Sequence, residues 1–311
     1  MNSGRLKYFL AALSSVAIWG FFSIPLRDLK AYSSEDILHY RIFTSLFITW
    51  LVIGVFRVSK IKADITYLKS KTPTDRKKIL WLILLAGILL TGNWFSFIYA
   101  VNHVSLKSAA FAYMVCPLIT AIGGFLILKE QLSAIKLVSI GIAVISILML
   151  ARGSLTDVLW SVFIAVLYAF YLIIQRVITT LDKFNMLGVQ LVISTILMLP
   201  LFIYHFQSFP TDLYFWIHIL IISVFFTIIP LFLSLYALIG MPSSTLAIII
   251  YINPIVAFAV AFFYFDANIS LHEVYAYSLL IAAVIIFNSA IITDIFSSKF
   301  KAKKAENIQV N

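Results

Sequence analysis

One arginine, Arg41, lies inside an apolar run, about six residues from the run's start near residue 35. A charge at the middle of a membrane helix costs about 2.5–3.5 kcal/mol, so it needs a cavity or a partner. At about 100° per residue, Arg41 shares a face with Ser45 and Thr49, which predicts an inward guanidinium suited to an anion such as a carboxylate. The alternative is an arginine that snorkels to the outer interface. His39 lies on the other face, where a water-exposed interfacial position is expected.

Two prolines, Pro117 and Pro254, remove backbone hydrogen bonds from other apolar runs. Tyr251 and Asn253 lie beside the second proline. Paired interruptions in two halves mark the binding site of many transporters, although such prolines are equally often ordinary kinks. The remaining candidates for contact with a solute are Trp19, Asn93, Trp94, Tyr113, Tyr168 and Tyr236. Each aromatic member could instead pack in the core or in an interfacial belt.

The composition identifies lipid as the solvent around these residues. Hydrophobic residues make up 62% of the 311-residue chain, charged residues make up 12%, and the mean hydropathy is +1.04. A soluble core of this length could not bury so much apolar surface. The net charge of +10 comes from short stretches between apolar runs, so we predict no basic face for nucleic acid.

Acidic residues and cysteine limit the chemistry further. All 13 acidic residues lie in loops or near the ends of apolar runs. This placement argues against proton antiport through a mid-membrane carboxylate and leaves facilitated diffusion, exchange or a site at a span end. The single cysteine, Cys116, excludes an intrachain disulfide and a cysteine-based metal site. We predict no cofactor, no metal site and no catalytic residue.

Ten apolar runs are long enough to cross roughly 30 Å of hydrocarbon as helices. They lie near 8–29, 35–56, 79–101, 106–128, 133–151, 155–175, 184–205, 213–239, 243–265 and 271–296. The first run is longer than the about 7–15 apolar residues of a signal peptide, so we predict a retained span. The sequence therefore predicts an all-α polytopic membrane protein with ten transmembrane helices.

Basic residues predict the orientation of these helices. The segment 57–78 carries eight of the 23 Lys and Arg residues and is predicted to be a cytoplasmic loop. With an even number of spans, the N-terminus and the basic tail 297–311 then lie in the cytoplasm too. Compact loops and abundant Ile, Phe and Lys indicate a bacterial plasma membrane.

The two halves of the sequence resemble each other. A shift of 137 residues superposes Pro117 on Pro254, and a shift of 149 residues superposes Trp19 on Tyr168. Because each half has five spans, the second half must enter the membrane in the opposite orientation, which predicts a 5+5 inverted repeat. The predicted units are 1–151 for the first repeat, 152–296 for the second and 297–311 for the tail.

The sequence resembles the RarD-like permeases, whose EamA domains belong to the drug/metabolite transporter superfamily. The landmarks of the resemblance are Ile18-Trp19-Gly20, Asp36-Ile37-Leu38 leading to Arg41, Gly92-Asn93-Trp94, Tyr113 with Pro117, Glu130, Pro230-Leu231, and Tyr251 with Pro254. The resemblance covers nearly the whole chain. It implies ten spans, an inverted repeat and a central cavity lined by both halves.

The chain departs from the RarD pattern at three places. Tyr40 precedes the arginine where the family usually has histidine, and Cys116 precedes the proline where an asparagine is usual. The seventh span offers Gln190 and Ser194 where the family tends to carry an acidic residue. These departures affect the substrate and the coupling ion rather than the fold.

The prediction that follows is a permease or exporter that moves a small metabolite or drug across the lipid bilayer by alternating access. Two other functions stay open. A membrane enzyme would need clustered carboxylates or a histidine with carboxylates at one membrane face, and no such motif is present. An accessory subunit would need a surface for partners, of which the short loops offer little. A homodimer is a further candidate state.

Overall fold

The computed structural model of the chain describes residues 3–104, 106–150, 155–206, 208–264, 270–289 and 293. Within these residues the chain forms fourteen α-helices and no strand. The helices are α1 (Ser3–Gly20), α2 (Ser23–Asp28), α3 (Ser34–Phe56), α4 (Val58–Ser70), α5 (Pro73–His103), α6 (Leu106–Leu128), α7 (Ala134–Leu150), α8 (Leu155–Val177), α9 (Lys183–His205), α10 (Leu213–Ser223), α11 (Ile229–Gly240), α12 (Ser243–Ile250), α13 (Ile252–Phe263) and α14 (Leu271–Phe287). A π-helical segment, Val224–Ile228, joins α10 to α11.

Seven helical segments of the described chain are long and apolar enough to cross a membrane. Three of them combine consecutive helices, namely α1 with α2, α10 with α11, and α12 with α13. Three shorter apolar segments lie in α6, α7 and α14. Each predicted apolar run therefore contains a helix or a pair of helices, and the architecture is that of an all-helical, polytopic membrane protein.

Large apolar side chains point outward around the bundle. Phe47 is 69% exposed, and Leu126 and Leu148 are each 67% exposed. A belt of this kind would promote aggregation in water, whereas in a bilayer it contacts acyl chains.

The basic segment 57–78, predicted as a cytoplasmic loop between two spans, is mostly helical. Ile61, Ile65 and Leu68 recur at helical spacing along α4, with charged residues between them. Then α5 begins at Pro73, capped by the Thr72 side chain, which accepts a hydrogen bond from the Asp75 N–H at 3.1 Å. The helix α4 is therefore amphipathic, a feature that the high charge of the segment makes difficult to recognise in the sequence.

Two predicted continuous spans are interrupted where a proline lacks its N–H. Pro25 cannot donate to the Phe21 carbonyl, which accepts from the Ile24 N–H at 3.1 Å, and α1 and α2 are separated there. Pro230 likewise cannot donate to the Phe226 carbonyl, and the π-helical segment 224–228 lies just before it.

A third interruption separates α12 from α13 at Tyr251. The Tyr251 N–H donates to the Ile248 carbonyl at 3.2 Å, a tightened turn, and Pro254 follows in the first turn of α13. Pro117, in contrast, lies inside the continuous helix α6. The expected pair of equivalent breaks is thus found in only one of the two helices.

The helices of the two halves of the chain are packed together in one bundle. The most extensive helix pairs are α6 with α8, α7 with α14, and α1 with α11, and each pair joins the first half to the second. The bundle has two ends, which we call the basic end and the aromatic end. The basic end holds Arg57, Glu130, Arg176 and Gly240, and the aromatic end holds Tyr32, Tyr40, Asp212 and Trp216.

The C-terminal predictions are only partly covered. The last helix, α14, ends at Phe287. The predicted limit near residue 296 and the tail 297–311 lie outside the described residues.

Candidate functional site

Arg41 projects between two aromatic rings of neighbouring helices. Its guanidinium carbon lies 5.0 Å from the centre of the Trp94 ring on α5 and 5.9 Å from the centre of the Phe22 ring. These distances allow cation–π attraction to both rings. Its Nε atom is buried without a hydrogen-bond partner, and no carboxylate of the described residues forms a salt bridge with it. The guanidinium thus lies between rings, without a counter-charge among the described residues.

A chain of aromatic side chains continues from this arginine. Tyr113 on α6 is near enough to Arg41 to interact electrostatically. Its ring centre lies 6.3 Å from that of Tyr168 on α8, which in turn lies 6.4 Å from that of Trp19 on α1. Trp19, Arg41, Trp94, Tyr113 and Tyr168, all selected from the sequence, therefore come together. We call these five residues the central site.

The interruptions of the first and eighth predicted spans meet beside the central site. The Trp19 indole N–H donates to the Phe226 carbonyl at 3.0 Å, the carbonyl that Pro230 leaves without its helical donor. The rings of Phe22 and Phe226 are 5.7 Å apart, and Phe22 also contacts Arg41. Irregular backbone inside a membrane is tolerated where protein groups satisfy it, and it often marks a functional site.

The ninth predicted span reaches the same region through a close helix crossing. A Cβ atom at Gly20 would lie 2.4 Å from the Cβ of Val256 and 3.3 Å from the Asn253 carbonyl oxygen. No residue larger than glycine fits there without a shift of α1 or α13. This contact places the backbone of Asn253 next to Trp19.

Two predicted site residues lie elsewhere. Asn93 is 1% exposed and donates from Nδ2 to the Ile164 carbonyl on α8 at 3.0 Å, which joins α5 to α8. Adjacent residues on a helix point about 100° apart, so Asn93 and Trp94 lie on different faces of α5, one toward α8 and the other toward Arg41. Tyr236 lies near the basic end, with its ring 5.1 Å from that of Tyr8 and 5.9 Å from the Lys7 amino group.

Three further predicted residues, Pro117, Tyr251 and Pro254, are buried. Tyr251 is 0% exposed in a cluster with Met114 and Leu280, and its hydroxyl is near enough to the Cys116 thiol to interact electrostatically. Both prolines shape their helices, and their rings offer no polar group to a ligand.

Several hydroxyl groups near the predicted path are buried without a partner within the described chain. They belong to Ser45 and Thr49 of α3, to Tyr168 and to Tyr251. Ser45 and Thr49 lie on the helix face that the sequence assigned to Arg41. Buried hydroxyls are normally hydrogen-bonded, so these four are candidates for bonds to water or to a solute.

His39 differs from its predicted position. Its side chain is 3% exposed, with its ring centre 5.5 Å from that of Phe202 and 6.4 Å from that of Phe43. The prediction of a water-exposed histidine was wrong, because α9 covers that face of α3.

Sequence reasoning missed three contributors to the site. Phe22 and Phe226 are aromatic residues in a chain with 15% aromatic residues, so residue type alone does not distinguish them. The Ser223 hydroxyl donates to the Arg41 carbonyl at 3.2 Å. Position gives a signal for two of them, because Pro25 and Pro230 each predict an irregular turn in the preceding four residues, which include Phe22 and Phe226 respectively. Ser223 lies outside both windows.

Away from the central site, the described residues form no candidate metal site, and they line one mainly apolar groove. No group of three or more His, Cys, Asp or Glu side chains that could hold a metal ion comes together among them. A groove of about 360 Å³ between α13 and α14 is lined mainly by apolar residues, including Phe258, Phe262 and Ile281.

Comparison with known proteins gives this arrangement a class and then a family. The fold is shared with a crystal structure that superposes with a TM-score of 0.73 at 13% sequence identity, over 91% of this chain and 98% of that one. The EamA-like transporter family matches residues 6–152 and again residues 155–289. The chain belongs to the EamA-like transporter family.

Its similar relatives are bacterial proteins of nearly the same length. The uncharacterised transporter YojE of Bacillus subtilis is 27% identical over 281 residues, which cover 88% of this chain and 90% of that protein. The RarD protein of Escherichia coli is 24% identical over 291 residues, which cover 89% and 92% of the two chains. The resemblance to RarD-like permeases is therefore confirmed.

Proposed function

We propose that this protein is a permease that carries a small carboxylate-bearing solute across the membrane by alternating access. The observation that carries the proposal is the Arg41 guanidinium, which lies between the Trp94 and Phe22 rings without a carboxylate partner among the described residues. Ring contacts attract a cation but do not neutralise it. A solute carboxylate would supply the missing charge and could accept two parallel hydrogen bonds.

The surrounding rings favour a solute with an apolar body. Within the central site, Trp19, Tyr113 and Tyr168 offer flat apolar surface to a solute. The Tyr168 hydroxyl has no hydrogen-bond partner among the described residues, so it could bond a polar group of the solute. Small-molecule sites commonly combine apolar walls with a few oriented polar groups.

The proposed architecture has ten spans in two five-span units of opposite orientation. The two matches to the family, one in each half, and the packing of the halves against each other support this arrangement. The positive-inside rule would put the basic end and both termini in the cytoplasm of a bacterial cell. The binding site would lie between the units and open to one side at a time. A homodimer stays a prediction.

The names of the relatives favour transport over the alternatives. YojE and RarD-type proteins match this chain over most of its length, and YojE is named as a transporter. No observation on the described residues favours a membrane enzyme or an accessory subunit.

Uptake into proteoliposomes tests the proposal. The probes are benzoate, its uncharged analogue benzamide, a set of amino acids and organic acids, and cationic drugs, each with and without a proton gradient. We expect Arg41→Ala to reduce carboxylate uptake about tenfold or more, which corresponds to about 1.4 kcal/mol of lost binding, while benzamide uptake stays unchanged. The matched control is Arg76→Ala, because Arg76 is an exposed arginine of the basic segment.

Equal uptake of every tested anion by wild type and Arg41→Ala, at matched protein levels, would contradict the carboxylate assignment. A dependence on the proton gradient would identify a coupling group away from the middle of the spans, where the sequence has no carboxylate.

A further inference from the structure

One face of α8 carries a polar stripe from the central site toward the basic end. Tyr168, Tyr171 and Gln175 are spaced by three and four residues, so they lie on the same side of the helix. The stripe extends about 10 Å along the helix axis at about 1.5 Å per residue. The three side chains are 4%, 1% and 0% exposed.

The stripe faces a second buried amide on α9. The Tyr171 hydroxyl donates to Gln190 Oε1 at 3.2 Å, and Gln190 is also 0% exposed. Four polar atoms of the group have no partner in the described part of the chain, namely Tyr168 Oη, Gln175 Oε1, Gln175 Nε2 and Gln190 Nε2. Burying an amide without hydrogen bonds is costly, so these groups need bonding partners from water or from a solute.

We propose that Tyr168, Tyr171, Gln175 and Gln190 form an inner station, a second polar binding site on the path of the solute between the central site and the basic end. The inference rests on the proposed function as a permease. Each glutamine amide offers both a donor and an acceptor and carries no charge. The inner station therefore suits hydroxyl, amide or carboxylate groups of a solute and the water that accompanies it.

The surroundings of the inner station place it inside a closed end. Tyr168 is also a member of the central site, and its ring centre lies 5.7 Å from that of Tyr171. At the other end, the Lys183 amino group donates to the Gln175 carbonyl at 2.9 Å, and Arg176 donates to the Leu238 carbonyl at 2.6 Å. Lys183 and Arg176 therefore lie on the side of the station that faces the basic end.

The alternative is a structural core that holds fixed internal water. The two cases differ in what happens when the amide is removed. If Gln175 serves passage, Gln175→Leu should leave the melting temperature unchanged or raise it, because no native hydrogen bond is lost. If fixed water bonds the amide, the melting temperature should fall. The control is Thr91→Val, because the Thr91 hydroxyl donates to Ser194 at 2.7 Å and its loss should lower the melting temperature.

Passage through the inner station is tested with the native thiol of Cys116, the single cysteine of the chain. This thiol is 1% exposed and near enough to the Tyr168 hydroxyl to interact electrostatically. In inside-out vesicles, a membrane-impermeant methanethiosulfonate reagent should modify Cys116 of the wild type. Gln175→Phe should slow the modification severalfold by filling the station, Arg76→Ala should not, and Cys116→Ser gives the background.

Three outcomes overturn the inner station. They are a lower melting temperature for Gln175→Leu, no modification of Cys116 in the wild type, and equal modification rates for wild type and Gln175→Phe. Failure of the carboxylate assignment looks different. It leaves benzoate uptake the same in Arg41→Ala and wild type, while the effect of Gln175→Phe on Cys116 persists.

Discussion

At the basic end of the bundle, charged side chains bond the ends of neighbouring helices, whereas at the aromatic end rings pack against rings. The Glu130 carboxylate accepts hydrogen bonds from the Ser243 N–H at 2.7 Å and the Ser244 N–H at 3.0 Å, at the start of α12. The Arg176 guanidinium donates to the Leu238 carbonyl at the end of α11. Each charge has the sign that the helix dipole favours.

The aromatic end is built around Tyr40. Its ring centre lies 5.2 Å from that of Trp216, 5.5 Å from that of Phe215 and 5.7 Å from that of Phe202. The basic end should therefore be sensitive to a loss of charge at constant size. The aromatic end should be sensitive to a loss of size even when the chemistry changes little.

The largest expected effect is at the aromatic end. Tyr40→Ala should lower the free energy of unfolding by about 3–5 kcal/mol, the usual cost of removing a buried ring. Tyr40→Phe keeps the ring and should remain close to wild type. Denaturant titration in detergent micelles measures both, and equal losses for the two variants would show that the hydroxyl, not the ring, stabilises this end.

The next effect is at Glu130. Glu130→Ala removes the acceptor of the Ser243 N–H, the Ser243 hydroxyl and the Ser244 N–H, and should cost about 2–3 kcal/mol in the same titration. Glu130→Gln retains the size and one carbonyl acceptor and should lose roughly half as much. A stability of Glu130→Ala equal to that of the wild type would remove the distinction between the two ends.

A smaller effect is expected for the pair Arg57 and Asp182, whose Nη2 and Oδ2 atoms are 2.6 Å apart. Both side chains are partly exposed, so we expect a coupling of about 1 kcal/mol from a double-mutant cycle of Arg57→Ala and Asp182→Asn. Asparagine is chosen because Asp182 also caps α9, and asparagine retains that cap. High salt should reduce the coupling. A coupling that salt leaves unchanged would contradict a charge-based contact.

The smallest effect concerns Tyr32, at the rim of the aromatic end. Burial, together with the hydrogen bond from its hydroxyl to Asp212, raises the pKa of Tyr32 above the ordinary value of 10.0. Because the folded protein holds this proton more tightly, its contribution to stability is complete below pH 10.0 and is lost as the pH rises through the raised pKa. The melting temperatures of wild type and Tyr32→Phe should therefore converge above pH 10.0. A difference independent of pH would exclude this proton linkage.

Most helices could be predicted from the lengths of apolar runs, because lipid requires about 20 apolar residues per crossing. The runs near 35–56 and 106–128 match α3 and α6 within about one residue. The helix α4 was not predicted because its charged residues indicated a loop. The helical spacing of Ile61, Ile65 and Leu68 could have predicted it. The interruptions near Pro25 and Pro230 could have been predicted from the missing N–H groups.

The candidate site was predictable where a residue is rare in its surroundings. Arg41 is a charge in an apolar run, and Trp19, Tyr113 and Tyr168 were grouped with it as aromatic residues of other runs. The grouping of Asn93 with Arg41 could not be decided from spacing alone, because it depends on which neighbour covers each face of α5. The polar stripe of α8 was present as Tyr168, Tyr171 and Gln175 at helical spacing.

Under the predicted repeat, the shift of 149 residues gives that stripe an apolar counterpart. It superposes Tyr171 on Phe22 and Gln175 on Leu26. Phe22 contacts Arg41, and Leu26 packs against the cluster that contains Tyr40. The second half therefore places the Gln175 amide toward the basic end, whereas the first half places the apolar Leu26 toward the aromatic end.

The crossing at Gly20 has a mechanical consequence. With a Cβ position only 2.4 Å from that of Val256, the first and ninth predicted spans touch with no side chain between them on the glycine side. A side chain at position 20 would act as a wedge between the two spans, because the helices would have to separate and lose dispersion contacts beside Trp19.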